Sequence, residues 1–155
     1  MDYLTVIAWL VALSSGLMAG TYFAFSSFIM QSLKALDGLE GMRTMNSINE
    51  VILRSMFMPL FFVSTVLALA LAGGGLWTWG ESDSLWATVA GSIYVIGMFG
   101  VTTVFNVPLN NALAIAENNS NGEQVWTQYL TVWTRWNSVR AVTSLITFVA
   151  CTKLL

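Results

Sequence analysis

The sequence contains no histidine and only one cysteine, Cys151, so it lacks the side chains that most often hold zinc, copper or haem iron. Without histidine it also lacks the usual general base at neutral pH. A single cysteine has no intrachain partner, which excludes a disulfide framework. We interpret Cys151 as a small hydrophobe in the last apolar segment, and we expect neither a metal site nor a cofactor.

Charged residues are also scarce. They make up 9% of the 155 residues, against about 25% in soluble domains. Hydrophobic residues make up 56%, and the mean hydropathy is +0.70. The net charge is −2 without any basic run, so nothing indicates a nucleic-acid partner. Because a membrane span needs about 20 apolar residues, the chain has room for four membrane helices with short connections.

We predict an all-α integral membrane four-helix bundle, with helices extended on the cytoplasmic side and one domain over residues 1–155. The predicted spans are about 4–30, 55–76, 85–108 and 136–155. A helix beginning near Met42 is expected to run into the second span. There Pro59 either kinks it or restarts it in its first turn. Pro108 is expected to break the third helix at its end.

Small residues recur every four positions on the first helix, at Ala12, Gly16, Gly20 and Ala24. This spacing lets a neighbouring helix approach closely, since packing must replace the hydrophobic drive that lipid does not supply. It predicts a central position for the first helix. The same stripe fits an intersubunit contact equally well, so a homo-oligomer stays an alternative.

The basic residues indicate the orientation. All but Lys153 lie in or beside the first and third connections, which places those connections in the cytoplasm and both termini outside. In a bacterium this membrane is the inner membrane. The outward-facing aromatic residues of the predicted interfacial belt are Tyr3, Trp9, Trp77, Trp79 and Trp86.

Counting about 20 residues inward from that belt, at about 1.5 Å each, brings polar residues of all four helices to one level. The polar residues at this level are Ser26, Ser27, Glu50, Arg54, Asn106, Asn110, Asn137 and Arg140. They predict a polar pocket near the cytoplasmic interface, because such groups need partners in an apolar environment. The aromatic residues expected to roof it are Phe23, Phe57, Phe105, Trp133 and Trp136.

Each of these groups also has a structural interpretation. Glu50 and Arg54 have the spacing of a solvated ion pair on a helix surface. Arg140 either snorkels to lipid phosphate or pairs with Glu50, with a ligand or with the asparagine cluster. Asn106 and Asn110 either line a pocket or tie helices together.

Four segments carry a resemblance to a known family. They are the first-helix motif from Gly16 to Ser26, Met45-Asn-Ser-Ile-Asn49, Asn106-Val-Pro-Leu-Asn110, and Trp133-Thr-Arg-Trp-Asn-Ser-Val-Arg140. In these segments the chain resembles the anthrone oxygenase family (DUF1772) of small four-helix membrane proteins. The resemblance implies oxidation of polycyclic anthrones to anthraquinones with dioxygen, without a recognised metal or flavin.

The resemblance leads to a hypothesis for the site. Glu50 would take the substrate proton, and Arg140, assisted by Arg54, would hold the enolate or phenolate charge. The other candidates orient or contact the rings: Asn106, Asn110, Asn137, Trp133, Trp136, Ser26 and Phe23. The alternative is a non-catalytic membrane protein that binds an apolar aromatic, a quinone or a lipid, or that serves as a partner subunit. Whether the chain is an enzyme stays open at this point.

Overall fold

The computed structural model describes residues 3–155, which form five helices. These are α1 (Tyr3–Lys34), α2 (Gly38–Ile52), α3 (Phe57–Trp77), α4 (Ser84–Ala116) and α5 (Gly122–Cys151). Within the described residues, the one β-type pairing is an isolated bridge between Trp79 and Glu81. The predicted all-α class is confirmed.

Three of these helices, α1, α3 and α4, are long and apolar enough to cross a membrane. The protein is therefore a membrane protein by helix length and composition. Helix α5, which contains the predicted fourth span, is not among the three. It buries polar side chains along its length, including Asn137, Arg140 and Ser144, and these lower its hydropathy.

Helix α4 does not end at Pro108, as the sequence pattern predicts, but continues to Ala116. A π-helical turn over Thr102–Asn106 ends two residues before the proline, and Pro108 then lies in the first turn of the segment Val107–Ala116. Such a turn shifts the backbone hydrogen-bond register by one residue. A proline tolerated in a first turn thereby becomes tolerated inside a long helix.

The other proline, Pro59, lies in the first turn of α3. Of the two expected outcomes, a kinked helix or a helix that restarts at the proline, the structure therefore has the second. Helix α2 ends at Ile52, and a turn separates it from α3. Helix α2 also begins earlier than Met42, since the Asp37 side chain accepts a hydrogen bond from the Leu39 N–H at 3.1 Å and caps Gly38 onward.

Helix α1 packs most extensively against α5, and α3 packs against α4. The small-residue stripe of α1 is only partly inside: Ala12 is buried and Gly16 faces the Phe148 ring, whereas Gly20 is exposed. Helices α3 and α4 approach each other closely, since a Cβ at Gly75 would come 2.6 Å from the Ser84 carbonyl oxygen. Glycine is needed there because backbone meets backbone.

Two glycines of α3, two residues apart, provide a matched test of this packing. A Cβ at Gly75 would overlap the backbone of α4, whereas a Cβ at Gly73 would meet nothing within 4 Å. We expect Gly75→Ala to lower the free energy of unfolding by about 1–3 kcal/mol through overpacking. Gly73→Ala should be neutral or stabilising by about 0.5–1 kcal/mol. Thermal unfolding in detergent measures both, and equal effects would contradict this packing.

Candidate functional site

A cavity of about 260 Å³ lies between the five helices at the level of Arg140. Most of its wall is aliphatic or aromatic, which is typical of small-molecule sites. Its polar lining side chains are Thr21, Asn49, Thr102, Thr103, Asn106, Asn110, Asn137 and Arg140. Within residues 3–155, no group of three histidine, cysteine, aspartate or glutamate side chains is placed to hold a metal ion.

Arg140 is the central polar group of this cavity, and only 5% of it is exposed. Its Nη2 donates to Asn137 Oδ1 at 2.7 Å, and its Nη1 donates to Thr102 Oγ1 at 3.2 Å. The guanidinium carbon lies 4.3 Å from the centre of the Tyr22 ring, in cation–π geometry. Arg140 therefore points inward and does not snorkel to the surface.

No carboxylate accompanies this buried charge. In the part of the chain that the structure describes, the one ion pair joins Arg43 to Glu117, and neither residue lines the cavity. Among residues 3–155 the Nε of Arg140 finds no hydrogen-bond partner. A buried cation without a counter-ion carries a desolvation cost of several kcal/mol. The cavity is therefore electrostatically prepared for an anionic or strongly polarised oxygen.

Asn137 fixes the orientation of Arg140. Its Nδ2 donates to the Tyr22 carbonyl oxygen and to Ser26 Oγ, both at 2.7 Å, which leaves Oδ1 to face the guanidinium. The Tyr22 carbonyl belongs to α1 just before a π-helical turn over Phe25–Ile29. Because a π turn interrupts the i→i+4 ladder, it frees a carbonyl for an outside donor. The α1 backbone irregularity thus positions the arginine on α5.

Asn106 and Asn110 of α4 both line the cavity and also tie α4 to α5, so both interpretations, lining a pocket and joining helices, apply to them. Asn106 Nδ2 donates to the Trp133 carbonyl oxygen at 3.3 Å, while its Oδ1 has no partner. Asn110 Oδ1 accepts a hydrogen bond of 2.8 Å from the Tyr129 hydroxyl. Burial raises the pKa of Tyr129, which keeps this hydroxyl protonated as the donor.

Trp133 forms an aromatic wall of the cavity. Its ring stacks with Tyr129 at 5.6 Å between centroids and packs against Phe25 at 5.8 Å. The guanidinium of Arg140 lies 5.4 Å from the Trp133 ring. The indole Nε1 is buried without a partner. Trp133 therefore offers a ring face and one free donor.

Five of the ten predicted site residues line the cavity, namely Arg140, Asn106, Asn110, Asn137 and Trp133. Ser26 lies directly behind its wall, bonded to Asn137 and Ser138. Trp136 lies outside the cavity and stacks on Phe105 at 3.7 Å. Of the expected roof, the structure brings Phe57 and Trp133 to the cavity, but neither Phe105 nor Phe23.

Three predicted residues, Glu50, Arg54 and Phe23, are exposed and do not line the cavity. Glu50 lies on the outward face of α2, whereas its neighbour Asn49 is turned to the cavity together with Met45. One residue along a helix rotates the side chain by about 100°, so a depth count cannot distinguish the two. Glu50 and Arg54 are both exposed, but among the described residues no ion pair joins them, because α2 ends at Ile52 and Arg54 lies in the turn that follows.

The sequence reasoning missed Tyr22, Thr102 and Asn49 as lining residues. Asn49 carried a usable signal, because it lies on the apolar face of α2 with Met42 and Met45. Tyr22 lies within the first-helix motif but is hidden among apolar residues. Thr102 donates to the Met98 carbonyl of its own helix at 2.7 Å and also accepts from Arg140, and a threonine in a helix usually makes only the first of these bonds.

A family model described as anthrone oxygenase matches residues 50–150. The matched segment includes α3, α4 and nearly all of α5, and with them both cavity asparagines of α4, Trp133, Asn137 and Arg140. The chain belongs to the anthrone oxygenase family. No curated protein and no solved structure matches it. Within this family assignment, the uncompensated Arg140 is the feature that the geometry singles out.

A substitution that removes the unpaired charge should reveal its cost. We expect Arg140→Met to raise the free energy of unfolding of the ligand-free protein by about 1–4 kcal/mol, because a buried uncompensated cation is replaced by an apolar side chain of similar length. Arg135→Met on the exposed face of the same helix is the control and should change it by less than about 0.5 kcal/mol. Thermal unfolding in detergent compares the two, and a destabilised Arg140→Met would indicate a structural role.

Proposed function

We propose that this member of the anthrone oxygenase family is a membrane-embedded oxygenase that needs no cofactor and oxidises a reduced polycyclic or phenolic aromatic with dioxygen. The observation that carries the proposal is the buried guanidinium of Arg140, which faces an aromatic-lined cavity without a carboxylate partner. An enolate or phenolate oxygen would supply the missing charge.

The unpaired polar atoms around the cavity support this ligand chemistry. Five residues that line the cavity carry a buried side-chain nitrogen or oxygen without a hydrogen-bond partner, namely Tyr22, Asn49, Asn106, Trp133 and Arg140. An aromatic that carries a carbonyl or enolate oxygen beside a hydroxyl group would bring both an acceptor and a donor to this polar wall. Its rings would lie among Phe57, Phe61 and Phe99, which line the same cavity. Ring contacts with such side chains favour flat, apolar ligands.

The proposed reaction converts a ring CH₂ group and O₂ into a ring C=O group and water. Loss of one C–H proton leaves an enolate, which transfers an electron to O₂, and the resulting radicals combine to form a C–O bond. The peroxide takes up a proton. Loss of the second C–H proton with cleavage of the O–O bond then gives the ketone and water. The protein contributes charge stabilisation by Arg140, orientation by Asn110 and Asn137, and exclusion of bulk water.

The first proton passes to water in this proposal, because the residues that line the cavity include no carboxylate and no imidazole. Glu50 is not retained as the base, since it lies on the outer face of α2. Arg140 acts instead by lowering the pKa of the bound ligand, as a nearby positive charge favours the deprotonated form.

We further propose that the second half of α5 is a fourth membrane span, with the first and third connections in the cytoplasm. Its inward face buries Asn137, Ser144 and Thr147, whereas its outward face exposes apolar residues that suit lipid. These are Val142, Leu145, Ile146 and Val149. The exposed aromatic belt at Trp77, Trp79 and Trp86 marks the opposite interface.

The second candidate function is non-catalytic binding of a hydroxyquinone or a related aromatic. It is favoured by the absence of a carboxylate or imidazole base among the residues that line the cavity. A protein that only binds the ligand needs the arginine and the ring surfaces but no proton acceptor. Under this alternative the ligand would leave unchanged.

The oxygenase proposal is tested with 1,8-dihydroxyanthrone and the purified protein in proteoliposomes. We expect oxygen uptake and anthraquinone formation above the uncatalysed rate, and we expect Arg140→Gln to lower kcat/KM at least about a hundredfold, as for removal of an oxyanion-stabilising donor. Asn110→Ala should also lower it. Arg135→Gln serves as the matched control and should leave the rate unchanged.

The result that overturns catalysis is oxygen uptake by the unmodified protein no faster than the uncatalysed rate. Equal uptake by the unmodified protein and Arg140→Gln, each checked for folding by size-exclusion chromatography, would overturn the role of Arg140. Thermal stabilisation by 1,8-dihydroxyanthraquinone, lost in Arg140→Gln and unaccompanied by anthrone turnover, would instead establish the binding protein.

A further inference from the structure

The cavity has an opening on the side of the bundle, between α3 and α4. Four of its lining residues are also exposed on the outer surface, namely Leu53, Phe62, Thr103 and Val107. Leu53 is 64% exposed, Phe62 52% and Val107 43%. A side chain that both lines a cavity and is exposed outside marks the rim of an entrance. These four residues are called the rim below.

The rim lies where α3 and α4 separate. Toward their outer ends the two helices are in backbone contact, since a Cβ at Gly75 would lie 2.6 Å from the Ser84 oxygen and one at Gly91 would lie 2.7 Å from the Ala72 nitrogen. Farther inward the contact is made by whole rings, with Phe61 and Phe99 at 5.6 Å between centroids. The helix spacing therefore widens toward the rim.

The depth of the rim places it against lipid. Phe62 lies 15 residues from Trp77, and Thr103 lies 17 residues from Trp86, both belt residues. At about 1.5 Å per residue these distances are about 22 and 25 Å, within the roughly 30 Å of a bilayer's hydrocarbon core. Both residues belong to helices that are apolar enough to cross a membrane. The Phe62 and Thr103 side of the opening thus faces acyl chains on the inner half of the bilayer.

We propose that the ligand reaches Arg140 sideways from the bilayer, through the opening between α3 and α4 that the rim encloses. This inference deepens the proposed function, because it assigns the site to ligands that dissolve in the membrane in an uncharged form. Thr103 is the one polar residue of the rim, so the passage selects against charged or strongly hydrated molecules. The anion forms only inside, beside the guanidinium.

Cysteine accessibility tests the route without using catalysis or ligand binding. Cys151 is the single native cysteine and is buried in the bundle, so Cys151→Ala provides a silent background. Met45→Cys then places one thiol in the cavity wall at a residue only 1% exposed. The protein is reconstituted in phosphatidylcholine vesicles and treated with N-phenylmaleimide or with a sulfonated maleimide present on both sides. Intact-protein mass spectrometry gives the labelling rates.

We expect N-phenylmaleimide to label Met45→Cys at least about tenfold faster than the sulfonated reagent, after each rate is divided by that with a free thiol peptide. Adding Thr103→Trp should slow the N-phenylmaleimide reaction about tenfold by blocking the rim. Val104→Trp is the matched control, because Val104 is 62% exposed on the adjacent position and does not line the cavity. It should leave the rate unchanged.

Three outcomes would overturn the lipid-side route: equal labelling by both reagents, equal slowing by Thr103→Trp and Val104→Trp, or no labelling by either reagent. Size-exclusion chromatography confirms that each variant is folded before its rate is used. Since the readout is a thiol adduct, the route can hold when anthrone turnover fails, and turnover can hold when the route fails.

Discussion

The geometry of the site depends on one hydrogen-bonded chain, from the Tyr22 carbonyl through Asn137 to the Arg140 guanidinium, with bonds of 2.7 Å at both steps. This chain joins the first helix to the last and holds a positive charge inside an apolar bundle. A charge in such a place is expensive unless a partner meets it. The protein supplies an amide oxygen and a hydroxyl as hydrogen-bond partners of the guanidinium, but within the described residues it supplies no carboxylate. Because the guanidinium lacks a negatively charged partner, the cavity is suited to a ligand that supplies one.

Irregular backbone makes this arrangement possible. The π turn at Phe25–Ile29 frees a carbonyl for Asn137, and the π turn at Thr102–Asn106 precedes Pro108 and allows α4 to continue to Ala116. Backbone groups left open at membrane depth must find partners in protein. Here Asn137 on α5 provides such a partner for the Tyr22 carbonyl, and Asn106 is the last residue of the second π turn. Local backbone defects are thereby turned into fixed side-chain geometry at the site.

The level of the site along the helices could be predicted from the sequence, but the face of each helix that lines it could not. Counting from the aromatic belt brought Asn106, Asn110, Asn137 and Arg140 to one level, and all four line the cavity. The same count could not separate Glu50 from Asn49, or Trp133 from Trp136, because it contains no information about rotation around a helix. Periodicity supplies that rotation where a helix has a clear apolar face, as α2 does. In α5 both faces carry apolar and aromatic residues, so the pattern does not decide which side is inside.

The uncompensated arginine also explains why the cavity wall is divided between rings and amides. A carboxylate beside Arg140 would neutralise the charge in the folded protein, but it would also compete with any anionic ligand for the same guanidinium face. Neutral partners such as Asn137 and Thr102 hold the side chain in place without cancelling its charge. The aromatic residues Tyr22 and Trp133 add cation–π contact at 4.3 and 5.4 Å, which stabilises the cation while leaving its Nε edge free. Neutral anchoring of this kind leaves the positive charge of the guanidinium available to an anionic oxygen, as the proposed function requires.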